Sequence, residues 1–279
     1  MVSDEAADYN RAHYDDVTVA WSLILGDNLH YGAFSAETAT LVEGTDRLIF
    51  ELAKFGRIRK GARVLDVGCG IGGPAFVLHE SFGCEVTGIT TSERGVRIAS
   101  KEAEARGVTE SVVFVQADAS ANGLRSRSFD AVWQMESSHL MHDKMAVFRE
   151  NFRVLKKGGA LALCDLFLKK DFSVSDIYAY RSELCVLERS FGKVKMATMS
   201  HYRDCVDAAG FASIELRDIS EEVTPTLSFW KRNVYGNRKE IERLLGAQAV
   251  KDFLDSCGVL QRFFDKSILG YGFICAQKE

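Results

Sequence analysis

The run Arg63-Val64-Leu65-Asp66-Val67-Gly68-Cys69-Gly70-Ile71-Gly72-Gly73-Pro74 constrains the fold more than any other part of the chain. Val64, Leu65 and Val67 suit a buried strand. Four glycines follow within six residues. Pro74 suits the first position of a helix, where its missing N–H costs nothing. A strand, a glycine turn and a helix N-terminus together let backbone approach a ligand closely.

Gly68, Gly70 and Gly73 satisfy the dinucleotide pattern G-x-G-x-x-G. Two details argue against a dinucleotide. Asp66 puts a carboxylate beside the turn, which repels a pyrophosphate and suits an ammonium group. A dinucleotide site also wants an acid about 20 residues on, to hold ribose hydroxyls. Here the strand Glu85-Val86-Thr87-Gly88-Ile89 runs into Thr90-Thr91-Ser92, so hydroxyls stand in its place.

The rest of the chain supports an α/β reading. Residues 4–25 are predicted helical, with Tyr14, Val17, Trp21 and Leu25 on one face. Residues 36–56 give a second helix, with Gly56 closing it. Strands over 63–67, 84–89, 112–117, 129–134 and 160–168 then alternate with helices over 74–82, 92–106 and 143–156. Lys156-Lys157 reads as the positive C-terminus of the last helix. Such alternation implies a parallel sheet covered on both faces. Ligands of these sheets gather at the C-terminal strand edge. That edge brings Gly68 to Gly72, Thr90, Asp118, Gln134 to His139 and Asp165 around one crevice. After Phe167 come helices over 173–190 and 201–209, a strand over 213–219, helical pieces over 226–265 and a last strand over 268–277.

Composition excludes several classes. A net charge of −4 over 279 residues gives no electrostatic footprint for nucleic acid. No apolar run approaches the length of a membrane span. Residues 1–13 are acidic and polar, unlike a secretory or transit peptide, so a cytoplasmic protein is the default. The seven cysteines have no C-x-x-C spacing and read as reduced, buried thiols, with no metal site.

The string from Arg63 to Pro74, followed by Val86-Thr87-Gly88-Ile89-Thr90, resembles motif I of the class I S-adenosyl-L-methionine (SAM) methyltransferases. The Gly72-Gly73-Pro74 variant is similar to their small-molecule branch, which includes tocopherol, sterol and antibiotic methyltransferases. The resemblance runs from about Tyr14 to Phe167. It implies a Rossmann-like seven-stranded sheet whose last strand is inserted antiparallel. A helical cap (1–56), a SAM-binding core (57–170) and a region of lid insertions and closing strands (171–279) follow from it.

The resemblance also implies a cofactor site. Tyr14 and Tyr31 flank the methionine moiety. Asp66 takes the ammonium, and the turn from Gly68 to Gly70 the carboxylate. Thr90 and Thr91 bond the ribose. Asp118 and the Ala119 N–H read the adenine, and the Gln134 carbonyl faces the sulfonium. Gly95 departs from the pattern, since many relatives carry glutamine there. At the reacting end, beside Tyr14, His139 is the candidate base and Asp165 its orienting carboxylate.

The methylated atom is left open between two chemistries. Oxygen or nitrogen needs a base such as His139. An alkene carbon needs a water-excluding pocket with aromatic faces for a cation. The supply of Phe172, Tyr178, Tyr180, Phe191, Phe229, Trp230, Tyr235, Phe263 and Phe264 leans toward carbon on a prenyl or terpenoid unit of a small apolar substrate. Bacterial methyltransferases of terpenoid indole alkaloids of the teleocidin type, which couple methylation to cyclisation, are similar in this respect. A SAM-bound cyclase that transfers no methyl is a further alternative. The acidic start, Ser3 to Asp8, is read as an arm available to a partner subunit, which leaves a homo-oligomer through this helix open.

Overall fold

The computed structural model describes the backbone of residues 2–279 and the side chains from Tyr9 onward, except those of Tyr14, Asp16, Thr18 and Val19. The expected roles of Tyr14 and of the Ser3 to Asp8 arm therefore lie outside the described residues.

Helices α1 (Val2–Leu25) and α2 (Leu41–Phe55) precede the sheet. Helix α2 starts at Leu41 rather than at 36 because a capping box sets its end. Thr40 Oγ1 accepts from the Glu43 N–H at 3.2 Å, and the Glu43 carboxylate accepts from the Thr40 N–H at 2.9 Å.

The core then runs β1 (Arg63–Val67), α3 (Gly73–Phe82), β2 (Glu85–Thr90), α4 (Glu93–Arg106), β3 (Val112–Gln116), β4 (Phe129–Met135), a 3₁₀ turn (Ser138–Leu140), α5 (Lys144–Val154) and β5 (Leu155–Leu168). Helices α6 (Val174–Ala179), α7 (Arg181–Phe191) and α8 (Met199–Ala208) lead to β6 (Ala212–Asp218). Helices α9 (Ser220–Val223), α10 (Thr226–Gly236), α11 (Arg238–Leu245) and α12 (Ala247–Asp265) lead to β7 (Leu269–Gln277). The helix expected over 173–190 is broken at Tyr180, which caps both α6 and α7.

The strand order is β3-β2-β1-β4-β5-β7-β6. Strands β1 to β5 pair in parallel, and β7 lies antiparallel between β5 and β6. This is the class I methyltransferase arrangement. The pleat sorts β1: Val64 joins the apolar cluster that includes α2, α3 and α12, while Leu65 and Val67 join the opposite cluster with α5 and α8.

One local reading fails. Helix α5 ends at Val154 and β5 begins at Leu155, so Lys156 and Lys157 do not cap a helix. Strand pairing of Leu155 with Phe129 wins, and Lys156 Nζ instead bonds Asp130 Oδ1 at 2.8 Å. Cys185 is exposed, against the expectation of burial; the other six thiols are buried and all seven are free. Among the described residues no helix is long and apolar enough to cross a membrane.

Candidate active site

The C-terminal ends of β1, β2, β4 and β5 open onto one cavity of about 1050 Å³. Its floor is the glycine turn after β1. Gly68 has φ +82°, and a Cβ there would stand 2.3 Å from the Cβ of Ser137. The closeness is built in, because Ser137 Oγ donates to the Val67 carbonyl at 2.8 Å and draws the loop after β4 over the turn. Gly70 differs: at φ +55° its missing side chain leaves open space on the cavity wall. Backbone there can approach a ligand unhindered.

Two orphaned acceptors line this space. Asp66 is 2% exposed, and its Oδ2 has no partner. Burial pushes its carboxyl up to about 7. His30 donates from Nδ1 to the Tyr31 carbonyl at 2.6 Å, which leaves Nε2 a buried acceptor without a partner. Burial pulls His30 down to about 4, against the opposing pull of that hydrogen bond, so the ring is neutral. Uncompensated buried acceptors are costly unless a ligand fills them. An ammonium group, with three donors and a positive charge, suits the Asp66 carboxylate, and a donor of any kind suits His30 Nε2.

The remaining cofactor candidates divide. Tyr31 lines the cavity with its ring centroid 4.6 Å from that of Trp230, and its Oη is buried without a partner. Thr90 and Thr91 line the wall at the end of β2; Thr90 Oγ1 also accepts from the Ser92 N–H at 3.3 Å. Ala119 lines it too. Asp118 does so while closing a turn, since its Oδ1 accepts from the N–H and Oγ of Ser120, both at 2.7 Å. Gln134 does not reach the cavity. It is fully buried behind the wall, its Oε1 accepting from Asn151 at 2.9 Å, and Met135 and Glu136 take the wall position.

Gly95 has its own reason. A Cβ there would lie 2.8 Å from the carbonyl oxygen of Gly70. Gly95→Gln is therefore expected to push the turn aside and weaken S-adenosylhomocysteine binding about tenfold, in line with overpacking costs of roughly 1–3 kcal/mol. Titration calorimetry reads this, and an unchanged affinity would show that the turn yields freely.

The reacting end is built by β4 and β5. His139 sits in the 3₁₀ turn, 8% exposed, and Asp165 near the end of β5, 3% exposed. His139 donates from Nδ1 to Asp165 Oδ1 at 2.6 Å, and its backbone N–H donates to Oδ2 at 2.9 Å. The Leu166 N–H also donates to Oδ1, at 2.8 Å. With Nδ1 committed to the carboxylate, the other ring nitrogen is the acceptor. His139 lines the cavity; Asp165 stands behind it.

Glu136 was placed at the crevice by sequence but given no role there. It has φ +46°, a left-handed conformation uncommon outside glycine, which turns the chain off β4. Its Oε1 accepts from the Tyr31 N–H at 2.8 Å and from Tyr271 Oη at 2.6 Å. Burial outweighs these bonds and pushes its carboxyl up to about 8. The available signal was an acid directly after an otherwise apolar strand end.

Of the aromatic supply, Phe172, Phe191, Trp230 and Phe263 line the cavity. Tyr178 and Tyr235 are exposed, and Phe229 stacks on Phe34 instead. Leu166, Leu168, Leu184 and Leu187 complete an apolar wall beyond His139.

A class I fold with a buried acid, an open glycine turn and a carboxylate-bound histidine facing an apolar chamber defines a small-molecule methyltransferase. Comparisons agree. Residues 65–163 match the family described as Methyltransferase domain. The chain is 34% identical over 266 residues to 27-O-demethylrifamycin SV methyltransferase of Amycolatopsis mediterranei, covering 95% of both proteins. It is 30% identical over 222 residues to a sterol 24-C-methyltransferase of Gibberella zeae, covering 78% of this chain and 57% of that protein. The crystal structure of the [4+2]-cyclase SpnF superposes with a TM-score of 0.80 at 26% identity, over 96% of this chain and 94% of that one. The chain belongs to the SAM-dependent methyltransferases. Its cofactor is SAM.

Proposed function

We propose that this enzyme methylates a hydroxyl oxygen on a large, mostly apolar natural product, with His139 as the general base. The observation that carries this reading is the His139–Asp165 pair. The carboxylate accepts from the imidazole Nδ1 at 2.6 Å and from the His139 backbone N–H at 2.9 Å, which fixes ring and turn together and leaves the other ring nitrogen free to take a proton. Bound SAM supplies an electrophilic methyl group on a sulfonium. The protein's part is to align the hydroxyl with it and to remove the hydroxyl proton. Alignment of reacting atoms at ~3–3.5 Å supplies much of the rate. His139 then passes from neutral to charged beside Asp165, which stabilises that charge. The leucine and aromatic wall excludes water, so the acceptor must bring apolar surface into the cavity. The rifamycin relative, by its name, methylates an oxygen of an antibiotic, which supports the oxygen reading.

A second reading keeps the carbon chemistry toward which the aromatic supply leans. Glu136 supports it: a buried carboxyl raised to about 8, on the cavity wall and bonded to the Tyr31 N–H and the Tyr271 hydroxyl. Its ionised form, a stronger base than an ordinary carboxylate, can accept the proton lost after a carbon is methylated. The SpnF likeness supports a cyclase that transfers no methyl.

The test is to incubate the protein with SAM labelled in its methyl group. The acceptors are hydroxylated polyketide macrocycles, prenylated indoles, terpenoids and amino sugars, and NMR locates the label. Label on oxygen is the expected result. Label on carbon with loss of an alkene signal moves the proton to Glu136. A rearranged acceptor without label leaves the cyclase.

A further inference from the structure

Lys144 opens α5 and is 5% exposed. A cation at a helix N-terminus opposes the helix dipole, and burial penalises its charge. Burial pulls this ammonium down to about 8, against the Asp165 carboxylate, which favours the charged form. A methionine would fill similar space without the desolvation cost. What the ammonium adds is direction. It donates to the carbonyls of Ser138 at 2.9 Å, Met141 at 3.0 Å and Lys195 at 2.8 Å, which uses all three of its N–H groups. The Tyr202 ring lies beneath it, with its centroid at 5.2 Å.

Those carbonyls come from two places. Ser138 and Met141 bracket His139. Lys195 belongs to the strap 192–196, which lines the cavity next to Asn10 of α1. The strap answers in kind: the Lys195 N–H donates to the His139 carbonyl at 2.8 Å, and its Nζ to the His142 carbonyl at 2.9 Å. Two residues earlier, Lys193 exchanges two 2.8 Å hydrogen bonds with the side-chain amide of Asn10 on α1. A continuous set of hydrogen bonds therefore runs from α1 through the strap and Lys144 to both sides of His139.

We propose that Lys144 is a positioning residue for methyl transfer. Its ammonium locks the turn that carries His139 to the strap that meets α1, so the aim of the imidazole and the seat of the strap depend on the same three hydrogen bonds. The catalytic importance of that aim rests on His139 being the base; the lock itself does not.

The test uses the full chain and needs no substrate. In Lys144→Met, the ring signals of His139 are followed by NMR with labelled histidine, assigned by their loss in His139→Gln. Hydrogen exchange is followed at the Lys195 amide. The Nδ1 proton of His139 is expected to shift and broaden. The Lys195 amide is expected to exchange at least about tenfold faster, as local opening becomes easier. Both signals unchanged would overturn the proposal. Lys144→Ala with added n-butylammonium covers the case in which the methionine variant does not fold. Recovery of both signals with n-butylammonium, but not with butanol, supports the lock; equal recovery with butanol reduces it to packing and overturns it. Full turnover by His139→Ala would remove the base while leaving these two readouts as valid tests of Lys144.

Discussion

His139→Ala is expected to lower turnover on a hydroxylated acceptor by about 10²–10⁴-fold, the range for a lost general base. S-adenosylhomocysteine affinity is expected to stay nearly the same. The two effects separate because His139 stands in the turn after β4, whereas the ammonium-ready acceptors Asp66 and His30 belong to β1 and the segment after α1. Single-turnover kinetics with labelled SAM, beside calorimetry, reads both. Unchanged turnover would remove His139 from the mechanism and leave Glu136 as the proton acceptor. Asp165→Asn is a poorer probe. Asp165 accepts from His139 Nδ1, the His139 N–H and the Leu166 N–H, so an amide would turn a donor toward donors and disturb the fold with the chemistry.

Asp66→Asn is expected to weaken S-adenosylhomocysteine binding by about 10–100-fold, as expected for a charge-assisted hydrogen bond of roughly 1.5–3 kcal/mol. Its pH signature is distinctive. In the free protein burial raises Asp66 from the ordinary carboxylate range to about 7. Between those values the folded state holds a proton that the unfolded chain has released. The contribution of Asp66 to stability is therefore full below about pH 4 and is lost as pH rises through about 7. Asparagine carries no such penalty, so the variant without ligand is expected to be more stable than the parent at pH 8, while binding ligand less well. Ligand ammonium acts on the charged form. The rise in melting temperature produced by S-adenosylhomocysteine should therefore grow from about pH 5.5 to 8 in the parent and stay level in Asp66→Asn. A parent protein whose ligand-induced shift ignores pH would remove Asp66 as the ammonium partner.

Much of the cavity floor was legible in sequence because its requirements are local. A glycine at 68 or 70 declares a turn wherever it occurs, and an acid beside it declares the sign of the ligand. The period-2 and 3.6-residue patterns located the strands and most helices for the same reason. Errors fell where long-range pairing decided the outcome. Leu155 and Lys156 left the helical pattern because Phe129 of β4 offered Leu155 a strand partner. Gln134 lies behind the cavity wall because Asn151 and Met141 hold its side-chain amide there. Glu136 entered the site through a left-handed bend and bonds to Tyr31 and Tyr271, residues 105 and 135 positions away.

By itself, then, the sequence determined the fold class, the glycine turn, the place of Asp66 beside that turn and the pairing of His139 with Asp165 at adjacent strand ends. Those depend on side-chain period and on the order of strands. Only the tertiary structure decided which aromatics wall the cavity, which carboxyls are buried without full compensation, and that Lys144 joins the His139 turn to the strap. Burial and hydrogen-bond completion are properties of segments brought together from distant parts of the chain, and no local pattern encodes them.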